Sequence, residues 1–377
     1  MLRESLRPSR RRFLTQTLGA AALAGSGSWA LAAPDFSGEW ACPLLGDLHF
    51  DKLEHHDFAW LEKDHPGDVR QVQNYSRVTR EVMPQLLATV KQQIDGAATP
   101  VPFVLQLGDL IEGLCGTPEL AGRQAREALD LVNDASFGRP MLLIKGNHDV
   151  TGPGAAEVYD KILVPSMQSS ALDEIRRSAF TQQRGGVLLV FFDAYDKGSL
   201  DWFANLVAER KPERLIFLIH PPVVPYNARS TWHVYSKPSQ AQERQRLLEL
   251  LGRTRATVLC GHLHKYCFLR RRTEHGTFVQ LAISSVATDR EGKPRDELSG
   301  LKHYGPDLTR LEPKHSPDTI ETRRAILTAE KPFLQHFDYA DTWGHAMLRF
   351  HGAGLTAEVY RGLSTTAWKK LDLATNS

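Results

Sequence analysis

Five short stretches bring together carboxylate, imidazole and amide side chains: Gly46-Asp47-Leu48-His49, Gly108-Asp109, Gly146-Asn147-His148-Asp149, His220-Pro221 and Gly261-His262-Leu263-His264. Each taken alone is weak, because a Gly-Asp or an Asp-x-His after a strand is more often a turn with a helix cap than a ligand. Their grouping changes the reading. Five of the fifteen histidines fall inside these stretches, whereas independent structural roles would scatter them. The others, at 55, 56, 65, 233, 275, 303, 315, 336, 345 and 351, are read as solvated or locally hydrogen-bonded. Oxygen and nitrogen donors without a thiolate suit a hydrolytic Mn, Fe or Zn centre better than a soft-metal site. Glycine ahead of a ligand lets the backbone turn sharply and close in on an ion.

For Asp47 and His264 to meet, the chain must deliver both to one edge of a sheet. Ligands in α/β proteins gather at the carboxyl ends of strands, and the apolar runs lie where this requires. Segments 101–107, 141–144, 187–192, 215–219, 256–260 and 278–283 are short and rich in Val, Ile, Leu and Phe, which predicts buried strands. Between them, 76–94, 118–133, 199–210 and 239–251 carry apolar residues at helical spacing. The last is expected to open on a capping box of Ser239 and Gln242 and to stop at Gly252. Alternating strand and helix imply an α/β fold with a largely parallel interior. Late strands at 346–350, 355–360 and 367–371, without helices between them, are expected at the edge of a second sheet. Pro43 interrupts the run ahead of Asp47, so that strand is expected to be short, bent or at an edge. Segment 288–342 is crowded with charge and proline and shows no sustained apolar period. It reads as an insertion or cap of loops and short helices, either solvated or touching substrate.

The 377 residues, 42% of them hydrophobic, exclude disorder and support one large domain or two ordinary ones. Net charge is +2, yet residues 1–32 alone hold five arginines and one glutamate, leaving 41 bases against 43 acids. That balance argues against stable nucleic-acid binding. Four cysteines are too few for a disulfide scaffold; Cys260 reads as a packing residue, and any pairing of Cys42, Cys115, Cys260 and Cys267 stays open. At the N-terminus, Arg10 and Arg11 precede a modest apolar run broken by Thr15, Gln16, Thr17, Ser26 and Ser28, and Ala30-Leu31-Ala32 offers a cleavage site. This is similar to a twin-arginine export signal over 1–32. It predicts a partner in the twin-arginine machinery, a periplasmic or secreted mature chain of 33–377, and no membrane span in that chain.

The five stretches, in this order, resemble the calcineurin-like metallophosphoesterase superfamily, whose blocks run Asp-x-His, Gly-Asp, Gly-Asn-His-Asp or Glu, His, and Gly-His-x-His. The resemblance covers roughly 40–283. It implies a four-layer α/β/β/α sandwich with two metal ions at one end of the sheets. Asp47, His49 and His264 would hold the first ion, Asn147, His220 and His262 the second, and Asp109 would bridge them. His148 would lie beside the substrate's phosphate and leaving group, with Asp149 orienting it. Two cations about 3.5 Å apart can share one hydroxide, lower its pKa and neutralise a phosphoryl group during in-line attack. The implied activity is hydrolysis of a small phosphomonoester or phosphodiester. The rival, a non-catalytic metal-binding interaction protein on the same fold, expects gaps among these residues, and none is missing. The purple acid phosphatase branch places a tyrosine three residues after the bridging aspartate. Glu112 stands there in this chain, which argues against a tyrosinate charge-transfer site.

Overall fold

Strands β5 (Val187–Phe191) and β6 (Arg214–Leu218) are almost continuously apolar because both of their faces are covered. Leu189, Phe191, Ile216 and Leu218 join one core, while Leu188, Val190, Leu215 and Phe217 join another. Period-two alternation within an apolar run thus feeds two cores from one sheet. The structure, a computed structural model, describes residues 38–168, 175, 177–287, 289–314, 318–352 and 354–374, all within the compact unit Asp35–Ser377. The export signal expected over 1–32 lies outside the described residues.

The remaining strands are β1 (Trp40–Leu45), β2 (Val104–Gln106), β3 (Met141–Leu143), β4 (Phe180–Arg184), β7 (Thr257–Cys260), β8 (Tyr266–Thr273), β9 (Gly276–Ala282), β10 (Glu297–Ser299), β11 (Leu334–Ala340), β12 (Gly344–His351), β13 (Gly354–Arg361) and β14 (Lys369–Asp372). One sheet runs β14-β13-β12-β1-β2-β3 and the other β10-β11-β8-β9-β7-β6-β5-β4. The β1-β2-β3 and β5-β6-β7-β9 portions are parallel, and the flanks are antiparallel. The helices are α1 (Phe58–Asp64), α2 (Val69–Glu81), α3 (Met83–Asp95), α4 (Pro118–Asp134), the short α5 (Ala155–Val158) and α6 (Val164–Gln168), α7 (Ser199–Glu209), α8 (Ala241–Arg253) and α9 (Ile320–Glu330). Leu86, Leu87 and Val90 of α3 and Ala121 and Ala125 of α4 enter the core that also lies between the sheets. Phe203 of α7 and Leu247 and Leu251 of α8 cover the outer face of the eight-stranded sheet. The layering is α/β/β/α, as expected.

Several local expectations fail for identifiable reasons. Segment 76–94 is two helices that meet at Val82, with Pro84 in the first turn of the second. Pro238 opens a separate turn, Pro238–Gln240, so α8 starts a step later and the Ser239 capping box does not form. Gly252 lies inside α8, where a Cβ would sit 2.0 Å from Thr273 Oγ1; close packing against β8, and not helix termination, demands it. Strand β1 is interior, not an edge. Ala41, Pro43 and Leu45 turn their backbone groups toward β2, and Pro43 faces the segment just ahead of Val104, where its missing N–H breaks no ladder bond. Strands β12 to β14 extend the sheet of β1, not a second one. Within 288–342 the expected loops and short helices are present, among them Leu301–His303 and Pro306–Leu311, but the segment also contributes α9 and, to the eight-stranded sheet, β10 and β11. All four cysteines are free and buried.

Candidate active site

The carboxyl ends of β1, β2 and β3 in one sheet and of β6 and β7 in the other release the five polar stretches. Asp47, His49, Asp109 and His264 form one group of converging ligand atoms, and Asp109, His220 and His262 a second. Asn147 joins the second, its Oδ1 3.1 Å from His220 Nε2. Asp109 Oδ2 lies 3.0 Å from His220 Nε2 and 3.7 Å from His49 Nε2, so one carboxylate serves both groups. All seven residues proposed from the sequence as metal ligands therefore come together.

Two imidazole nitrogens approach each other closely in each group. His49 Nε2 and His264 Nε2 are 3.0 Å apart, and His220 Nε2 and His262 Nδ1 are 3.2 Å apart. Two nitrogens each about 2.0–2.1 Å from one ion lie roughly 2.9–3.4 Å from each other, so both spacings fit shared coordination. The tautomers suit it. His220 Nδ1 donates to the Leu107 carbonyl at 2.7 Å and His49 Nδ1 to Glu112 Oε2 at 2.7 Å, each leaving Nε2 as the donor atom toward an ion.

The backbone is bent to achieve this. His49, Asp109, His262 and His264 adopt φ of 47°, 52°, 73° and 54°, a left-handed region that costs non-glycine residues about 1–3 kcal/mol each and collects at functional sites. Close approach matters equally at Gly146, where a Cβ would meet Asp109 Oδ1 at 2.1 Å. The loops are tied together by Leu48 and His49, whose N–H groups both donate to the Asp109 carbonyl at 3.0 Å.

Electrostatics follow from burial and crowding. Burial, reinforced by Asp109 and opposed by His220 and His49, lifts Asp47 to about 6. Burial would lower the His220 imidazole, but Asp109 and Asp47 overcome it and raise it to about 9. His262 is pushed down to about 3 by burial and by His220. Buried, crowded acids and imidazoles are costly without cations, and the donor set fits two hard or borderline ions.

Two outcomes differ from expectation. Asp149 does not orient His148. Its carboxylate accepts from the N–H groups of Gly146 (2.8 Å), Asp109 (2.9 Å) and Ile111 (3.2 Å), clamping two loops together. His148 is held through Nδ1, which donates to the Glu112 carbonyl at 2.8 Å. Glu112 is the residue the sequence reading missed: fully buried, it fixes His49, accepts from Gln71 Nε2 at 2.9 Å and anchors His148. Its place three residues past Asp109 was the available signal. Tyr75 of α2, stacked on His49 at 4.3 Å, lies one residue ahead of the helix expected over 76–94 and was not singled out.

The family model for calcineurin-like phosphoesterases matches residues 44–266, the stretch that carries all of these residues. The chain belongs to that family. It superimposes on a purple acid phosphatase from yellow lupin seeds with a TM-score of 0.55 at 11% identity, covering 91% of this chain and 55% of that one. For PhoD the values are 0.50, 11%, 89% and 68%, and for a dimetal phosphatase from Danio rerio 0.50, 14%, 89% and 99%. The phosphoesterase thus spans about half the length of the purple acid phosphatase, and these likenesses concern the fold. No curated protein matches it in sequence. Among the described residues no helix is long and apolar enough to cross a membrane.

Proposed function

We propose that this phosphoesterase is an exported enzyme that hydrolyses a small phosphomonoester or phosphodiester with two metal ions. Asp47, His49 and His264 would hold one ion and Asn147, His220 and His262 the other, with Asp109 shared. The position of Asp109 in both donor groups carries this reading, since only an anion with two oxygens offsets repulsion between neighbouring cations. Bound there, Mn, Fe or Zn would acidify a water and neutralise phosphoryl oxygens.

The side chains supply the rest. Asn147 adds a neutral oxygen, which leaves the second ion strongly Lewis-acidic. Burial would lower the His148 imidazole, but Glu112 and Asp109 overcome it and raise it to about 9. His148, fixed through Nδ1, therefore presents a protonated Nε2 as a donor to a phosphoryl oxygen or to a departing alkoxide. Asp149 keeps the loops of Asp109 and Asn147 in register through three backbone N–H groups. Export rests on the paired Arg10 and Arg11 ahead of an apolar run; the mature enzyme, 33–377, would then act in the periplasm or outside the cell.

The test is reconstitution. Mature protein stripped of metal and then given Mn, Fe or Zn should regain hydrolysis of 4-nitrophenyl phosphate or bis(4-nitrophenyl) phosphate. Failure with every metal, in protein that stays folded, would refute the proposal.

A further inference from the structure

A cavity of about 260 Å³ opens beside the second donor group and shares Asn147 and His262 with it. We propose that this cavity takes the organic group of the substrate and that this group is planar and aromatic, a nucleobase or an aryl ring; the proposal rests on the phosphoesterase reading above and names its substrate class. An ester whose phosphoryl group lies at Asn147 and His262 has its organic part at this opening.

The walls are chosen for such a group. Tyr195, Trp232 and Tyr235 line the cavity, and no Asp, Glu, Lys or Arg does. Tyr195 is 42% exposed, one of few large apolar residues so exposed among those described. The Trp232 ring stands 5.8 Å from that of His262. Tyr235 holds a φ of 54°, a strained conformation for a bulky residue. Aromatic walls favour a stacked ring over a flexible polar chain; the one guanidinium beside them, that of Arg229 over the Trp232 ring at 5.3 Å, is already paired with Glu312 and so offers little to a second phosphate. The volume falls just below the usual range of about 300–1,000 Å³ for pockets of drug-sized ligands, which suits one ring system. Hydroxyl and amide groups of Ser236 and Gln240 stand where a ring edge could be read.

The walls are also preorganised. Ser230 Oγ donates to the Arg323 carbonyl at 2.9 Å, Arg323 Nη1 donates to the Ala228 carbonyl at 3.0 Å, and Tyr304 Oη donates to the Pro225 carbonyl at 2.6 Å. The segment between β9 and β11 therefore buttresses the loop that carries Trp232 without lining the cavity. A rigid wall loses little ordering entropy when a ring enters.

The experiment uses the mature, metal-loaded enzyme and matched substrates. The two nitrophenyl esters first establish whether monoesters or diesters are cut. The pairs, made as monoesters or methyl diesters accordingly, are adenosine 5′-phosphate against ribose 5-phosphate and benzyl phosphate against cyclohexylmethyl phosphate, each with closely similar leaving alkoxides. The aromatic member should have a kcat/KM at least tenfold higher, the scale of one base–aromatic stack. Preference in the adenosine pair assigns a nucleobase; preference confined to the benzyl pair assigns an aryl ring. Tyr195→Leu, at an exposed position that does not threaten folding, and Trp232→Leu should reduce the preference to about twofold or less. Ratios below about twofold in both pairs for wild type would overturn the proposal. If no ester is hydrolysed, the phosphoesterase reading fails separately, and the cavity is judged by saturation-transfer NMR with adenosine and benzyl alcohol. Transfer that is lost in Trp232→Leu supports it, and no transfer in wild type overturns it.

Discussion

Glu112 holds two histidines with different tasks. Its side chain fixes the proton of His49 on Nδ1 and lies 3.4 Å from His148 Nδ1, whereas its backbone carbonyl accepts the hydrogen bond from His148. Glu112→Gln removes the charge but leaves the carbonyl in place. Affinity at the donor group of Asp47, His49 and His264 should fall about 10–100-fold, as loss of a carboxylate behind a metal-binding histidine does, with a smaller effect at the other group. Competition with a chromophoric chelator measures both, and unchanged affinity would remove the positioning role. His148→Asn tests the neighbouring residue. It should keep both metals while activity falls roughly a hundredfold or more. The loss should be larger for alkyl esters than for nitrophenyl esters, because nitrophenolate leaves without a proton. Equal losses on both would assign His148 to phosphate binding.

Helix α3 and strand β12 meet at His345, which is fully buried, stacks on Tyr360 at 4.9 Å and bonds Gln93 Oε1 at 2.8 Å through Nε2. Burial alone lowers its pKa to about 4, against about 6.5 in an unfolded chain. Because the folded value is the lower one, the unfolded chain takes up the proton first. The contribution of His345 to stability is complete above about pH 6.5 and is lost as pH falls toward 4. His345→Phe keeps the stack and should flatten the stability curve in that window by about 1.4 kcal/mol per pH unit, one proton's worth, in denaturant titrations; an unchanged slope would contradict this. Arg323 of α9 is likewise buried, donating to the carbonyls of Ala228, Glu312 and Pro313. Arg323→Ala should cost about 3 kcal/mol while metal content stays at the wild-type level, since none of the proposed ligands lies in that segment. The sequence shows the parallel strands plainly because both faces of β5, β6 and β7 are apolar. It hides β8 and β11, where Arg270, Arg271, Arg272, Gln335, His336 and Asp338 interrupt the pattern; Arg271 is neutralised by Glu330 and Asp338 by Lys369, partners distant in sequence, and Tyr266 Oη also donates to Asp338. The proposed ligands were legible because their types and grouping suit a shared ion. Tyr75 and the aromatic cavity were not, because their roles arise only when α2 and the loop after β6 arrive beside β1 and β7; Glu112 was signalled only by its place three residues past Asp109.

Two sheets that face each other across a common core place five loops at one end of the molecule, and that end holds every residue proposed for chemistry. The proposed export is a separate matter and would be carried by residues 1–32. Replacing Arg10 and Arg11 with lysine preserves charge but removes the paired arginines, and the precursor should then stay in the cytoplasm; normal export of that variant, followed by cell fractionation, would withdraw the twin-arginine proposal without touching the enzyme. The claim on which the rest depends is the shared role of Asp109. Elemental analysis of purified, active protein, read together with turnover, tests it most directly. Wild type should hold two metal ions per chain, Asp109→Ala should lose affinity for both, and His264→Ala should lose affinity mainly for one. A fully active wild type with a single tightly bound metal ion would contradict the dinuclear account.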